Sequence, residues 1–327
     1  MVQGISGFHA GVCQVASERR AGGRRPPDID RPKFERDDEP MTSASTSRSV
    51  IGGRDERVAT LEQWILAAAR EWEPVRGLYR PYVEGLDNLP ADGRFLLVAN
   101  HTYMAASEIL LIPYEVHRRI GRKVRPLTDR GFASMSGLQR DVMSAAGAVL
   151  GTPDAARELM RANEPILVFP GGAREISKGK EEIYTLLWQD RAGFARLAVE
   201  HNYPIITVGV VGGDDVYKIL TTRRGWWGRL SGAVAQSLTG RSDMVTPLVR
   251  GLGPTLIPRP QRLYARFSAP IDTTTPKGIE PDEWVATVKS TVKADLEGAL
   301  ADLQKVRATD PFRHLSPWAW QKAVEPQ

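Results

Sequence analysis

The chain has 327 residues, of which 42% are apolar and 25% charged, and its formal net charge is +5. A chain of this length and composition can bury a sizeable core, in one large domain or two smaller ones. The single cysteine, Cys13, excludes an internal disulfide and any cysteine-based zinc site, and fits a reducing compartment. The charge is too small to predict nucleic-acid binding, and no apolar run has the length of a bilayer span. We therefore expect a cytoplasmic protein, soluble or peripherally associated with a membrane.

The N-terminal part of the chain divides into two predicted segments. Residues 1–55 mix Arg, Asp, Pro, Gly and Ser with few large apolar groups, so burial cannot offset chain entropy and disorder is predicted. Residues 56–90 are predicted to hold a helix, from Val58 to Trp72, and a lead-in strand within Tyr79–Glu84. We interpret the helix as a cover for the core, with a membrane-surface helix as the alternative.

The most informative stretch runs from Phe95 to Glu108. Its first five residues, Phe95–Ala99, are apolar without interruption, which is typical of a strand buried on both faces. The strand delivers Asn100 and His101 to its carboxyl end, where ligands bind in open α/β sheets. A histidine there can move protons near neutral pH, because its unperturbed pKa is about 6.5. The alternative is a histidine that only caps the next helix or binds a backbone carbonyl.

A second apolar strand, Ile166–Phe169, ends in a loop of distinctive composition, Pro170–Glu175. The two glycines of this loop permit a sharp turn or the close approach of a ligand. Arg174 supplies a planar, always-charged donor group suited to an oxyanion or a phosphate. If the two strands share a sheet, the loop that follows each of them lies at the same edge, and His101 and Arg174 face a common cavity.

These two motifs resemble those of a known family. Asn100-His101 and Phe169-Pro170-Gly171-Gly172-Ala173-Arg174-Glu175 resemble the first and third motifs of the glycerolipid acyltransferase superfamily. The third motif is closest to the neutral-lipid branch, the diacylglycerol acyltransferases and phytyl ester synthases, where Pro-Gly-Gly-Ala-x-Glu replaces Pro-Glu-Gly-Thr-x of the lysophosphatidate enzymes. The resemblance covers about residues 75–275.

The sequence departs from the family pattern at one position that bears on catalysis. The family usually carries an acid five positions after the histidine, and Ala106 stands there. The nearest acid is Glu108, in the first turn of the predicted helix Ser107–Ile120. We predict that Glu108 orients the imidazole of His101; the alternative is that it only interacts with the helix dipole. The family's second motif, which offers an arginine, is not evident.

The resemblance also implies the fold. We expect an α/β protein in which a central, mostly parallel sheet is flanked by helices, as a single acyltransferase-like catalytic domain over residues 91–275. Pro204–Val211 resembles the fourth motif, a strand that lines the acyl or acceptor pocket. Residues 276–327 are predicted to form a C-terminal helix, Pro281–Val306, and a tail that pack on the body.

The implied activity is O-acyl transfer from acyl-CoA to a hydroxyl of a lipid acceptor, namely an acylglycerol, a long-chain alcohol or a lysophospholipid. Acyl-CoA is a co-substrate here, and no cofactor or metal is expected. His101 is the predicted general base and Glu108 its acidic partner. Predicted substrate-binding residues are Asn100, Gly171, Gly172, Arg174 and Glu175, with the glycine amides facing the oxyanion. The alternative is a catalytically impaired lipid-binding or membrane-docking protein on the same scaffold, which Ala106 favours.

Three further clusters have open or purely structural interpretations. Gly212–Asp215 is interpreted as a solvated turn rather than a metal site. The basic run from Arg118 to Arg125 is interpreted as a solvated face, with a dock for coenzyme A phosphates or lipid headgroups as the alternative. Thr221–Leu230 combines arginines with Trp226 and Trp227; a membrane interface and packing beneath a loop are equally compatible with it.

Overall fold

The computed structural model describes residues 56–71, 73–105, 108–129, 135–239 and 246–326. The predicted disorder of residues 1–55 and the position Ala106 lie outside this part of the chain. The helices are α1 (Glu56–Glu71), α2 (Glu73–Tyr79), α3 (Glu108–Ile120), α4 (Gly137–Ala145), α5 (Pro153–Arg161), α6 (Ala173–Ile176), α7 (Gly193–Glu200), α8 (Trp226–Thr239) and α9 (Pro281–Thr309). The strands are β1 (Tyr82–Glu84), β2 (Leu96–Ala99), β3 (Arg125–Thr128), β4 (Val149–Leu150), β5 (Ile166–Val168), β6 (Ile205–Val211), β7 (Lys218–Ile219), β8 (Val249–Arg250) and β9 (Tyr264–Phe267).

Seven strands form one sheet in the order β1-β9-β6-β2-β5-β3-β4, and β7 and β8 pair separately. The neighbours β6, β2, β5, β3 and β4 are all parallel, whereas β9 is antiparallel to β6 and parallel to β1. The expected α/β architecture with a mostly parallel sheet is confirmed. Parallel strands need crossover connections, and the helices that supply them lie on the faces of the sheet.

The apolar run that contains β2 is uninterrupted because both faces of this strand are buried. Leu96 and Val98 belong to the hydrophobic cluster on one face of the sheet, together with residues of α5, α7 and α9. Phe95, Leu97 and Ala99 belong to the cluster on the other face, together with residues of α3. All five side chains are at most 1% exposed. The strand is therefore held rigidly, which fixes the position of the loop that follows it.

Helix α9 covers one face of the sheet along β6. Its buried side chains recur at helical spacing from Val285 to Leu303, as the sequence predicts, and the helix extends three residues beyond Val306 to Thr309. It approaches the strand closely at Gly209, which has no side chain. A Cβ added at this position would lie only 3.1 Å from the Cβ of Ala299. This contact anchors β6, whose carboxyl end reaches the site described below.

Helix α1 differs from the expectation. The sequence predicts a helix from Val58 to Trp72 that covers the core; the structure has the helix at Glu56–Glu71, and its described side chains are half-buried or exposed. The helix contacts α4 rather than the sheet, and Trp64 is 70% exposed. The core-covering interpretation is wrong, because α9 and α3 already occupy the two faces. Across the described ranges, no helix is long and apolar enough to span a bilayer.

Candidate active site

Three loops meet at one edge of the sheet because of the order of its central strands. Strand β2 lies between β5 and β6 and is parallel to both, so the carboxyl ends of the three strands are adjacent. The His101 loop (Asn100–Tyr103) follows β2, the glycine loop (Phe169–Gly172) follows β5, and the Asp214 turn (Gly212–Asp215) follows β6. Segments far apart in sequence thus meet where ligands bind in this class of fold.

The imidazole of His101 is held by a carboxylate on one side and an aromatic ring on another. Nδ1 lies 2.8 Å from Oε1 of Glu108, and the ring stacks on Phe169 with a centroid distance of 3.7 Å and an interplanar angle of 13°. The His101 side chain is 14% exposed. Because a carboxylate only accepts hydrogen bonds, Nδ1 carries the proton in this contact, and Nε2 is the nitrogen left for a substrate.

Glu108 is the first residue of α3, and its side chain is completely buried. Besides the His101 contact, it accepts hydrogen bonds from the backbone N–H of Thr102 at 2.8 Å and from the Thr102 hydroxyl at 2.5 Å. These donors satisfy a carboxylate that would otherwise be costly to bury. The contact expected between Glu108 and the imidazole is present, two residues beyond the position where the family usually has its acid.

Two buried charged groups hold the backbone of His101. Its N–H donates to Oε2 of Glu175 at 2.8 Å, and its carbonyl accepts from Nζ of Lys178 at 2.7 Å. The other oxygen of Glu175 accepts from the N–H of Leu187 at 2.8 Å. Burial raises the pKa of the Glu175 carboxyl, against the opposing effects of Lys178 and the two amides. The residue that presents the imidazole is therefore fixed through its main chain as well as its side chain.

Lys178 also forms an ion pair with the turn after β6. Its Nζ lies 2.8 Å from Oδ2 of Asp214, and both side chains are fully buried. Asp214 accepts further hydrogen bonds from the N–H of Tyr103 at 2.6 Å and of Tyr184 at 3.1 Å. The interpretation of this turn as solvated is wrong, because the strand order places it directly beside the His101 loop. Through Lys178, the Asp214 turn and the His101 loop are connected to the segment that follows α6.

Asn100 and Glu175, which we expected to bind substrate, bind the backbone instead. Asn100 is 1% exposed; its amide donates to the carbonyl of Val210 at 3.0 Å and accepts from the N–H of the same residue at 2.8 Å. These bonds attach the end of β2 to β6. Glu175 is also fully buried, and its two carboxylate oxygens accept from the backbone N–H groups of His101 and Leu187. Both motif residues shape the site through the backbone groups that they bind.

Gly171 and Gly172 are suited to the glycine loop for different structural reasons. A Cβ at Gly171 would lie 2.0 Å from Cδ of Glu175, so only glycine allows this carboxylate to reach His101. Gly172 has φ 53°, a conformation that L side chains rarely adopt. Its N–H donates to the carbonyl of Phe169 at 3.0 Å. The Gly172 amide is therefore engaged in a turn and is not free to face an oxyanion, which corrects that part of the prediction.

Arg174 lies in the short helix α6, half-buried, directly after the glycine loop. Its Nε is buried and has no hydrogen-bond partner within the described part of the chain. The His101 loop is joined to the glycine loop by the stack on Phe169, and to α6 by the hydrogen bond to Glu175. The guanidinium of Arg174 takes no part in these contacts. An orphaned buried donor at this place is suited to an anionic group of a ligand.

The basic run from Arg118 to Arg125 is largely neutralised by neighbouring acids and carbonyls, which fits its interpretation as a surface feature. The ion pairs of the basic run join Arg118 to Glu115, Arg119 to Asp87, and Lys123 to Glu62.

In the segments that the structure describes, no group of three or more His, Cys, Asp or Glu residues could hold a metal ion.

Comparison with known proteins agrees with this geometry. Residues 80–211 match the protein-family model described as Acyltransferase, a span that contains the His101 loop, the glycine loop and β6. The chain therefore carries an acyltransferase-family domain over residues 80–211.

Individual relatives are 27–29% identical to the chain over the parts that align. It is 27% identical to Phytyl ester synthase 2, chloroplastic, of Arabidopsis thaliana, over 42% of this chain and 21% of that protein. It is 29% identical to Uncharacterized protein ML2427 of Mycobacterium leprae, over 70% of this chain and 62% of that protein. Among solved structures, the 1-acyl-sn-glycerophosphate acyltransferase PlsC of Thermotoga maritima matches with a TM-score of 0.43 and 18% identity, over 77% of this chain and 85% of that one. The chain thus spans less than two thirds of the length of these curated relatives, from 20% to 64%.

Several residues of this acyltransferase-family site were missed by sequence reasoning. Sequence analysis gave Lys178 no role and interpreted the turn of Asp214 as solvated, although both side chains are fully buried. Phe169 was identified as the end of a strand and the start of the third motif, but not as the ring that stacks on His101. The available signal was the position of Asp214 directly after the most apolar strand, since a carboxylate at the carboxyl end of a central strand lies at the ligand edge.

Proposed function

We propose that this protein transfers a fatty acyl group from acyl-CoA to a hydroxyl of a lipid acceptor, with His101 as the general base. The observation that carries the proposal is the 2.8 Å contact between His101 Nδ1 and the buried carboxylate of Glu108. This contact keeps the proton on Nδ1 and leaves Nε2 basic, as a general base requires. The stack on Phe169 supports the ring in the same orientation.

The reaction needs no covalent enzyme intermediate, because a thioester is already activated. The acceptor hydroxyl gives its proton to Nε2 of His101 while its oxygen attacks the thioester carbonyl. The tetrahedral oxyanion then collapses, the carbon–sulfur bond breaks, and the imidazolium returns the proton to the departing thiolate. The products are the ester and free coenzyme A. The carboxylate of Glu108 stabilises the imidazolium in the interval.

Two groups are proposed to handle negative charge. The amide of Gly171 is the remaining glycine donor for the oxyanion, since that of Gly172 binds Phe169. In characterised enzymes, removal of one such donor costs about 10²- to 10³-fold in kcat. Arg174, whose buried Nε has no partner in the described ranges, is proposed to bind a phosphate of coenzyme A or of the acceptor.

The acceptor is proposed to be a neutral lipid, either a long-chain alcohol or an acylglycerol. Support comes from the Pro-Gly-Gly-Ala-Arg-Glu sequence of the third motif and from the similarity to proteins named phytyl ester synthases. A lysophospholipid is included among the acceptors in the assay described below. The competing proposal, an impaired lipid-binding protein, depends on loss of the orienting acid at Ala106; the position of Glu108 favours the enzyme.

The test is an assay of the purified full chain with acyl-CoA against a panel of neutral and phosphorylated lipid acceptors. An acyl carrier protein thioester replaces acyl-CoA in a parallel arm, to test the donor. We expect His101→Ala to lower kcat by about 10²- to 10⁴-fold. His117→Ala, at an exposed histidine of α3, is the matched control and should retain activity. Near-normal transfer by the His101 variant, or lipid binding without turnover, would refute the mechanism.

A further inference from the structure

Three large apolar side chains of helix α8 are exposed. Trp226, Leu230 and Val234 are 74%, 53% and 50% exposed, and their four-residue spacing places them on one face of the helix. Among the residues of this helix whose burial is described, 226–237, the buried ones are Gly228 and Gly232. A surface helix of a soluble domain normally shows the opposite arrangement, with the larger apolar residues against the core. The stripe formed by Trp226, Leu230 and Val234 is therefore available for a partner.

The charges around this stripe indicate what kind of partner fits. Residues 220–239 contain three arginines and no aspartate or glutamate. Arg224 and Arg229 are exposed beside the stripe, whereas Arg223 is bound to Glu182 at 2.8 Å. A face that combines tryptophan and leucine with arginine complements an anionic lipid surface, in which the rings lie at headgroup level and the guanidinium groups meet phosphates.

The segment that leads into α8 is hydrogen-bonded to the candidate site. Arg223, three residues before α8, donates from Nη2 to the carbonyl of Arg174 at 3.1 Å and to that of Ser177 at 2.8 Å. It thereby connects the start of the exposed stripe to the segment that follows the glycine loop. A surface bound by α8 would lie next to the residues that receive the lipid acceptor.

We propose that the α8 face, consisting of Trp226, Leu230 and Val234 with Arg224 and Arg229, docks this protein on an anionic bilayer. The inference rests on the proposed function in one respect: a lipid acceptor dissolved in a bilayer then reaches His101 without crossing bulk water. Of the two tryptophans that the sequence left open, Trp226 faces the lipid. Trp227 is half-buried, and its Nε1 donates to the carbonyl of Thr246 at 2.9 Å.

The experiment measures binding of the full chain to vesicles by co-sedimentation, without an acyl donor. Vesicles of phosphatidylcholine are compared with vesicles that contain about one third phosphatidylglycerol. We expect the anionic vesicles to bind the protein, and Trp226→Ser/Leu230→Ser/Val234→Ser to weaken this binding by about tenfold or more. Arg224→Gln/Arg229→Gln should remove the preference for anionic vesicles. Trp318→Ser is the matched control, because Trp318 is 94% exposed on the C-terminal tail.

Three results would overturn the inference. One is a triple variant that binds anionic vesicles as well as the unaltered chain does, and another is a Trp318 variant that loses as much binding as the triple variant. The third is self-association through α8, seen as a dimer in sedimentation velocity that the triple substitution dissociates. Failure of the proposed function is distinguishable, because vesicle binding would persist without acyl transfer. If the proposed function and the docking face are both correct, the triple variant transfers acyl groups normally to an acceptor dispersed as single molecules. It transfers them poorly to an acceptor embedded in vesicles.

Discussion

The ammonium group of Lys178 lies 2.7 Å from the carbonyl oxygen of His101. With Glu175 bound to the N–H of the same residue at 2.8 Å, both polar backbone groups of the proposed base are held by buried charged side chains. Lys178 is in turn held by Asp214 at 2.8 Å. The imidazole is thus positioned before any substrate arrives, which is the condition for an efficient reaction between bound groups.

Replacement of Lys178 by methionine should destabilise the protein by about 3–5 kcal/mol, because it leaves the buried carboxylate of Asp214 without its countercharge. The measurement is the free energy of unfolding in urea. Lys178→Met combined with Asp214→Asn should recover part of this loss, since the pair is then neutral. A double variant that loses as much stability as the two single variants together, or more, would contradict a favourable interaction between the charges.

Glu108→Gln should lower kcat by about 10²-fold or more with little change in KM, because an amide no longer fixes the proton on Nδ1 of His101. Steady-state kinetics over an acceptor series measures both constants. Thr102→Val is the control: it removes the hydroxyl that binds Oε2 of Glu108 and leaves the contact between Oε1 and the imidazole. Equal losses in both variants would show that the imidazole contact is not what matters.

Gly171→Ala should impair both stability and activity. The added methyl group would lie 2.0 Å from Cδ of Glu175 and would displace the carboxylate from the N–H of His101. We expect a loss of about 1–3 kcal/mol, the cost of a buried group deprived of its hydrogen-bond partner. Gly298→Ala, within α9 where an added Cβ meets nothing within 4 Å, should instead stabilise by about 0.5–1 kcal/mol. Thermal unfolding of the two variants gives the comparison, and equal shifts would exclude the proposed clash.

The raised pKa of Glu175 predicts a dependence of stability on pH. Burial holds this pKa above the ordinary value of 4.5, so the folded state binds the proton more readily than the unfolded state. The corresponding stabilisation is complete below pH 4.5 and is lost as the pH rises through the raised pKa. Glu175→Gln removes this contribution. The free energy of unfolding should therefore fall less steeply above pH 4.5 in the variant; parallel profiles would contradict the raised pKa.

Much of the fold could be predicted from local patterns. The uninterrupted apolar runs around β2, β5 and β6 indicate strands buried on both faces, and such strands occur in parallel sheets covered by helices. The helical spacing from Val285 to Leu303 likewise identifies α9. The His101 and glycine loops were expected at one edge, because parallel strands have their carboxyl ends on the same side. The acid at Glu108 was identified by its distance along the chain from the histidine.

Sequence alone thus determined the central strands, the end of the sheet that holds the candidate site and the histidine that is the candidate base. The tertiary structure decided which charges are buried and what they hold. Lys178 and Asp214 are 36 residues apart and meet only because β2 lies between β5 and β6. The same applies to Asn100 and Glu175, whose polar groups bind backbone, and to α8, whose apolar stripe faces outward. Burial of a side chain depends on which neighbours the strand order places beside it. The composition and spacing of residues along one segment do not determine that order.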